Sequence, residues 1–184
     1  MSASEDNWPD LLWAMEPGHR NPATTVDVSG GCDDHCMVMC EYFSAADDDV
    51  AVRVLDQPDG PDPATFDVVP LRGIDPVVVL ARLEAILTGC SYDEATRRPR
   101  SGQLLSSPES ESAFIMSVSD TLQEALASAT PAALAEAAGP WSGTEELEAS
   151  GYTSEDAGQA LAQLAGLAGR AGSDGRRMYC RWAL

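Results

Sequence analysis

From residue 37 onward the apolar positions change period repeatedly, and each change marks an element. Residues 36–43 form an apolar run of strand length. Ser44 then predicts an N-cap for a helix reaching about Leu55, with Asp47, Asp48 and Asp49 at its positive end. Residues 57–63 hold three prolines and a glycine and read as a loop. Residues 66–71 follow as a short strand that Pro70 assigns to a sheet edge. The clearest helix runs between Asp75, a good N-cap with Pro76 behind it, and the stop at Gly89. On it Val79, Leu80, Leu83, Ile86 and Leu87 share one face, with Arg82 at the border.

Residues 92–103 are polar, with Arg97, Arg98 and Arg100 together. Residues 113–118 read as a strand, after which Ser119 or Asp120 caps a helix carrying Leu122, Ala125, Leu126 and Ala129. Thr130 and Pro131 start another helix, which Gly139 and Pro140 are expected to end. The last long helix opens at Thr153, with Asp156 three residues on in capping-box spacing. Its apolar stripe is Ala157, Leu161, Leu164, Ala168 and Ala171; its polar stripe is Glu155, Gln159, Gln163 and Arg170. Residues 177–182 alternate as a closing strand. The predicted fold is a single α/β (α+β) domain over residues 37–184, a small mixed or antiparallel sheet packed by several helices.

Residues 1–36 differ in character. They contain both histidines, both asparagines and seven acids against one arginine, and they read as an acidic, flexible N-terminal extension. Within them Trp8, Leu11, Leu12, Trp13 and Met15 make an apolar knot too short to hold a helix alone. The knot reads as a loose dock onto its own domain or, more sharply, as a partner-binding motif through Trp8, Leu12 and Trp13. Met37 or Met39 would also serve as a natural start. No basic, apolar leader opens the chain, and no run approaches the roughly 18 apolar residues of a membrane span. Five cysteines, an odd number, then read as reduced thiols, and the expected compartment is the cytoplasm.

Composition narrows the chemistry. All eleven bases are arginines, so lysine Schiff bases and a P-loop lysine are absent. His19 and His35 are the two histidines, leaving no imidazole general base from residue 36 onward. With 30 acids against 11 bases the net charge is −19, which opposes nucleic-acid binding. Residues 37–184 alone hold 23 acids and 10 arginines. Such a field favours solubility and steers the chain toward basic partners.

Three clusters carry candidate chemistry. Cys32, His35, Cys36 and Cys40 offer four soft ligands within nine residues, the donor types zinc uses. Against this, structural zinc sites pair two separated knuckles, and strand alternation sets Cys36 and Cys40 on one face, toward the core. No other cofactor is indicated. Asp47, Asp48 and Asp49 fit a helix-start charge cluster or a basic-partner contact better than a Mg²⁺ site, because successive helical residues diverge by about 100°. Glu145, Glu146 and Glu148 read as a solvated face rather than the separated carboxylate pair of a glycosidase. Arg97, Arg98 and Arg100 are suited to gripping a phosphate or, more simply, to offsetting the chain's own negative field.

One resemblance is carried by Cys40-Glu41-Tyr42-Phe43, by Leu71-Arg72-Gly73-Ile74-Asp75 leading into a helix that ends Leu87-Thr88-Gly89, and by Ser101-Gly102-Gln103-Leu104-Leu105. Together with the final helix, the turn at residues 172–175 and the strand at 178–182, these segments resemble the YfbM-like family of uncharacterised bacterial proteins, a domain of unknown function. The resemblance covers residues 38–184 and implies a compact intracellular α/β domain on a small sheet, with no catalytic residues to carry over. The first 36 residues have no counterpart in it. The charge and the lack of catalytic residue types, rather than the resemblance, set the expectation of a non-enzymatic protein-binding module, of inhibitor or immunity type, for a basic protein partner. The alternative is a metal- or ligand-dependent enzyme using the Cys/His cluster or the carboxylates.

Overall fold

The computed structural model describes residues 39–110 and 112–183. Strand β1 (Met39–Ala45) lies between β2 (Val68–Arg72) and β4 (Arg177–Ala183), and β3 (Ala113–Ser117) pairs with the far side of β4. All pairings are antiparallel, giving the order β2-β1-β4-β3 and an α+β fold. Pro70 sits on an outer strand, as expected. The other outer strand, β3, is flanked by residues 103–106: Leu105 N–H donates to the Ile115 carbonyl at 2.8 Å, and Ser117 N–H donates to that of Gln103 at 2.9 Å.

Strand alternation divides the core in two. Cys40, Tyr42, Val69, Leu71, Phe114, Met116, Met178 and Cys180 face one side and pack on four helices. These are α2 (Val78–Thr88), α4 (Asp120–Ser128), α5 (Pro131–Ser142) and α7 (Ser154–Ser173), with Leu147 of the short α6 (Glu145–Ala149) added at the edge. Phe43, Ala45, Ile115 and Tyr179 face the other side. There α1 (Asp48–Val52), the 3₁₀ turn Arg53–Asp56 and the strap of residues 57–67 cover them with Ala51, Val54 and Phe66. Phe43 meets Phe66 edge-on at 5.6 Å and stacks on Tyr179 at 5.8 Å.

The helix starts follow their capping chemistry. Ser119 Oγ accepts from Leu122 N–H, and Thr153 with Asp156 forms the full capping box. Asp75 lies three residues before α2, yet its carboxylate accepts from the N–H groups of Val77, Val78 and Val79 and so serves the donors a cap would serve. Gly89 ends α2 in the left-handed region, at φ 68°.

Three expectations are corrected. Ser44 caps no helix: it is buried within β1 opposite Met178, because the ladder to β4 runs on to Ala45. Asp47 is the cap instead, accepting from Val50 N–H at 2.8 Å, and its helix tightens into the 3₁₀ turn at Arg53. Pro140 does not end α5, which continues to Ser142. The carbonyl that Pro140 cannot serve belongs to exposed Glu136, whereas the next residue, Trp141, is fully buried and donates Nε1–H to the Val79 carbonyl at 3.1 Å. The polar stretch after Gly89 contains a further helix, α3 (Tyr92–Thr96), capped by Ser91.

Candidate functional site

The polar side chains of the body gather in two clusters and one surface. The first cluster joins α1 to β4 across the covered face of the sheet. Tyr179 Oη donates to Asp48 Oδ1 at 2.8 Å, and Arg100 Nη1 donates to the same oxygen at 2.7 Å. The Arg100 guanidinium also lies over the Tyr179 ring at 5.3 Å and 3.5 Å from Asp120 Oδ1, which Arg177 approaches from the other side. Arg100 has φ 67°, a left-handed conformation that is costly for a residue with a Cβ. Its carbonyl is tied down by Ser117 Oγ–H at 2.8 Å. Burial pushes the Asp48 carboxyl up, but the bonds from Arg100 and Tyr179 outweigh it and hold the group below its ordinary value. Burial and the bond to Asp48 push the Tyr179 hydroxyl up to about 12.

The second cluster centres on Glu84, which is 1% exposed within α2. Its Oε1 accepts from Arg98 Nη1 at 2.7 Å and its Oε2 accepts from Ser119 Oγ at 2.6 Å, so both oxygens are satisfied. This network ties α2, the segment after α3 and the start of α4 together. At the opposite border of α2, Arg82 lies 3.8 Å from Glu146 and 4.3 Å over the Tyr92 ring. Burial raises Asp75 despite its three backbone donors.

The surface is the strap. Glu41 and Arg181 pair across β1 and β4 at 2.7 Å, and the backbone of Gly60 lies directly on them. A Cβ there would come 2.7 Å from Glu41 Oε2, so glycine is what allows the close approach, at φ 83°. The segment held down this way exposes Asp47, Asp49, Asp56, Asp59 and Asp62, with Arg53 as its one cation. Seven of the ten arginines in the described residues lie within ion-pair distance of the chain's own carboxylates: Arg82, Arg97, Arg98, Arg100, Arg170, Arg177 and Arg181.

The predicted site residues are placed as follows. Asp47, Asp48 and Asp49 do sit at a helix start but do not act as one group: Asp47 caps, Asp48 turns inward to Arg100, and Asp49 is exposed. Cys40 is buried on the helix-facing side of the sheet, diagonal to Cys180. Burial raises the Cys180 thiol, and Cys40 beside it adds to the effect. Cys32, His35 and Cys36, with Trp8, Leu12 and Trp13, lie outside the described residues, as does the whole of the predicted extension over residues 1–36. Among the described residues no three His, Cys, Asp or Glu side chains converge as metal ligands. Nor is any described helix long and apolar enough to cross a membrane. Of Glu145, Glu146 and Glu148, only Glu146 is partly buried, against Arg82.

Sequence reasoning passed over Glu84 and Tyr179. The signal for Glu84 was an acid lying among Leu80, Leu83 and Leu87; Tyr179 carried none, since its partner Asp48 is 131 residues away. Comparison with family models, with curated proteins and with solved structures finds no match, so the resemblance to the YfbM-like family rests on the residues quoted above.

Proposed function

We propose that this chain is a non-enzymatic binding module for a basic protein, acting as an inhibitor or immunity-type factor does, by covering its partner's cationic surface. The observation that carries this reading is the disposition of charge. Seven of the ten described arginines lie in ion pairs with the chain's own acids, while residues 47–62 present five exposed aspartates around the one arginine of that segment, Arg53. A surface of one sign accelerates encounter with the opposite sign, and does so most at low salt. Two sets of contacts serve this role as supports: Asp48, Arg100 and Tyr179 pin α1 to the sheet, and Glu41 with Arg181 seats the strap.

The test is native mass spectrometry of the protein purified gently from its own host, followed by association kinetics with whatever protein accompanies it. A basic partner whose on-rate falls steeply with salt is the expected result. A bare species at 19.4 kDa, or a partner equally fast at low and high salt, overturns the reading.

A further inference from the structure

Cys40 and Cys180 lie far apart in the chain and side by side in the sheet. Both are buried, at 1% and 0% exposure, on the face that packs against the helices. Cys180 stands directly opposite Tyr42, and Cys40 opposite Trp182, so the two thiols occupy the diagonal between adjacent cross-strand pairs. Ser44 N–H bonds to Asp67 on the β2 side, so the even-numbered residues of β1 meet their β4 partners as closely spaced, non-hydrogen-bonded pairs. Diagonal side chains come within reach of one another there. The Cys180 thiol, raised by burial, is raised further by Cys40 beside it.

The two thiols differ in access. The ladder partner of Cys40 on β2 is Leu71, which with Tyr152 and Ala160 lines an open hollow of about 480 Å³. The Tyr152 hydroxyl is raised by burial first and then by Asp156 and Cys40, which places the Cys40 thiol just behind that wall. Cys180 is the inner one, with β1 on one side and β3 on the other. On the strap face the residues next along the two strands, Glu41 and Arg181, form the direct cross-strand pair on which Gly60 sits. Whatever draws Cys40 toward Cys180 therefore moves the backbone that carries this ion pair.

We propose that Cys40 and Cys180 are a redox pair, closed to a disulfide by hydrogen peroxide entering through the hollow, and that closure loosens the strap by shifting Glu41 against Arg181. The inference does not rest on the proposed function, since it concerns the seat of the strap and not what approaches it. Peroxide is small and uncharged, which suits passage between Leu71 and Tyr152. Cys40, the nearer to the hollow, gives its proton to water, and its sulfur attacks one peroxide oxygen. The O–O bond breaks, and the departing hydroxide takes up a proton as water. The Cys180 sulfur then attacks the Cys40 sulfur of the resulting sulfenic acid. The S–S bond forms, the S–O bond breaks, and the second hydroxide leaves with the Cys180 proton as water. Two thiols lose two electrons, and one peroxide becomes two waters. Diagonal Cα atoms stand about 7–8 Å apart, whereas a disulfide spans at most about 6.8 Å, so closure draws the strands together by about 1 Å. A bond formed against such a displacement is readily reduced by a thiol, as a reversible device requires.

The test uses the full chain carrying Cys32→Ser, Cys36→Ser and Cys90→Ser, which leaves these two thiols alone. It is treated with hydrogen peroxide while folded, and half is then reduced with dithiothreitol. Expected is a peptide pair joined through residues 40 and 180, about 2 Da lighter than its two thiol parts. Hydrogen exchange at Gly60 N–H, which bonds to the Gln57 carbonyl, should be about fivefold faster in the oxidised chain. Dithiothreitol should reverse both changes. With Cys180→Ala added, peroxide should place oxygen on Cys40 and leave Gly60 exchange as it was. The parent chain under the same treatment, read by the same peptide map, decides the matter should a variant fail to fold. Two free thiols recovered after peroxide treatment overturn the redox pair, as does oxidation to sulfinic or sulfonic acid without a joined peptide. A disulfide that leaves Gly60 exchange unchanged overturns its coupling to the strap.

Discussion

Replacing Gly60 with alanine separates backbone strain from a side-chain collision, because Gly89 offers the same substitution without the collision. Both glycines lie in the left-handed region, at φ 83° and 68°. An L residue there costs about 1–2 kcal/mol, less about 0.4–1 kcal/mol because alanine restricts the unfolded chain. At Gly89 a Cβ meets nothing within 4 Å, so Gly89→Ala should cost about 0.5–1 kcal/mol and no more. At Gly60 the same atom falls 2.7 Å from Glu41 Oε2 and 3.2 Å from Arg181 Nη1. Glu41 has to swing aside, disturbing a charge-assisted bond worth about 1.5–3 kcal/mol where it is largely shielded from water. Gly60→Ala should therefore cost about 2–4 kcal/mol. Urea unfolding followed by far-ultraviolet circular dichroism gives both numbers, with an unchanged denaturant slope confirming that the unfolded state is comparable. In a Glu41→Ala background the Gly60 penalty should drop to the Gly89 value. Equal costs at the two glycines in the parent chain would refute the argument that the strap is seated on this ion pair.

Other outcomes follow from the same contacts. Burial raises the hydroxyls of Tyr42, Tyr92, Tyr152 and Tyr179 above their ordinary value of 10.0, that of Tyr179 to about 12. The native state therefore holds protons that the unfolded state has lost, and stability is full below pH 10 and declines as pH rises toward 12. Tyr179 alone should contribute about 1–2 kcal/mol of that loss after allowance for screening, and tyrosinate absorbance should appear together with unfolding rather than before it. Asp48 has the opposite sign: its carboxyl is held below 3.8, so its stabilisation is present above that pH and is lost as pH falls through the lowered value. Asp48→Asn should cost about 1 kcal/mol at neutral pH and nothing in strong acid, which paired acid-unfolding curves would show. Trp141→Phe keeps most of the buried ring but removes the donor that the Val79 carbonyl accepts from besides its partner within α2, so a loss of about 1–3 kcal/mol from the bond and the missing ring volume is expected in the same urea assay. Asp56→Asn with Asp59→Asn, both exposed, should leave stability within about 0.5 kcal/mol yet slow association with the basic partner at low salt only.

How much of this was legible in the sequence depended on how local the deciding interaction is. The starts of α4 and α7 could be read because their caps, Ser119 and Thr153 with Asp156, act within three residues of themselves. The stop at Gly89 is equally local. Ser44 misled for the converse reason: its side chain suits a cap, but its backbone was already claimed by Met178, more than 130 residues later. Pro140 misled because the helix rule weighs a lost hydrogen bond without knowing that the orphaned carbonyl is solvated and that the next side chain is buried. Helix α3 spans five residues, too few to show a period.

The candidate site was less legible still, since it is a matter of which charges find each other. Composition counts acids and arginines but cannot say which are neutralised. The structure resolves this in one direction: Arg98 reaches the buried Glu84, and Arg100 the partly covered Asp48, while Arg181 reaches Glu41 beneath the strap. A cation that satisfies an inward-facing carboxylate no longer offsets an outward-facing one. Within residues 47–62 the exposed aspartates are thus accompanied by one exposed arginine, Arg53, and the segment is net negative. Solubility requires only that the net charge lie away from zero, which the bare excess of acids already provides. Five exposed aspartates carried on one seated segment hold part of that excess in a fixed direction relative to the sheet, which a freely moving loop of the same composition would not do.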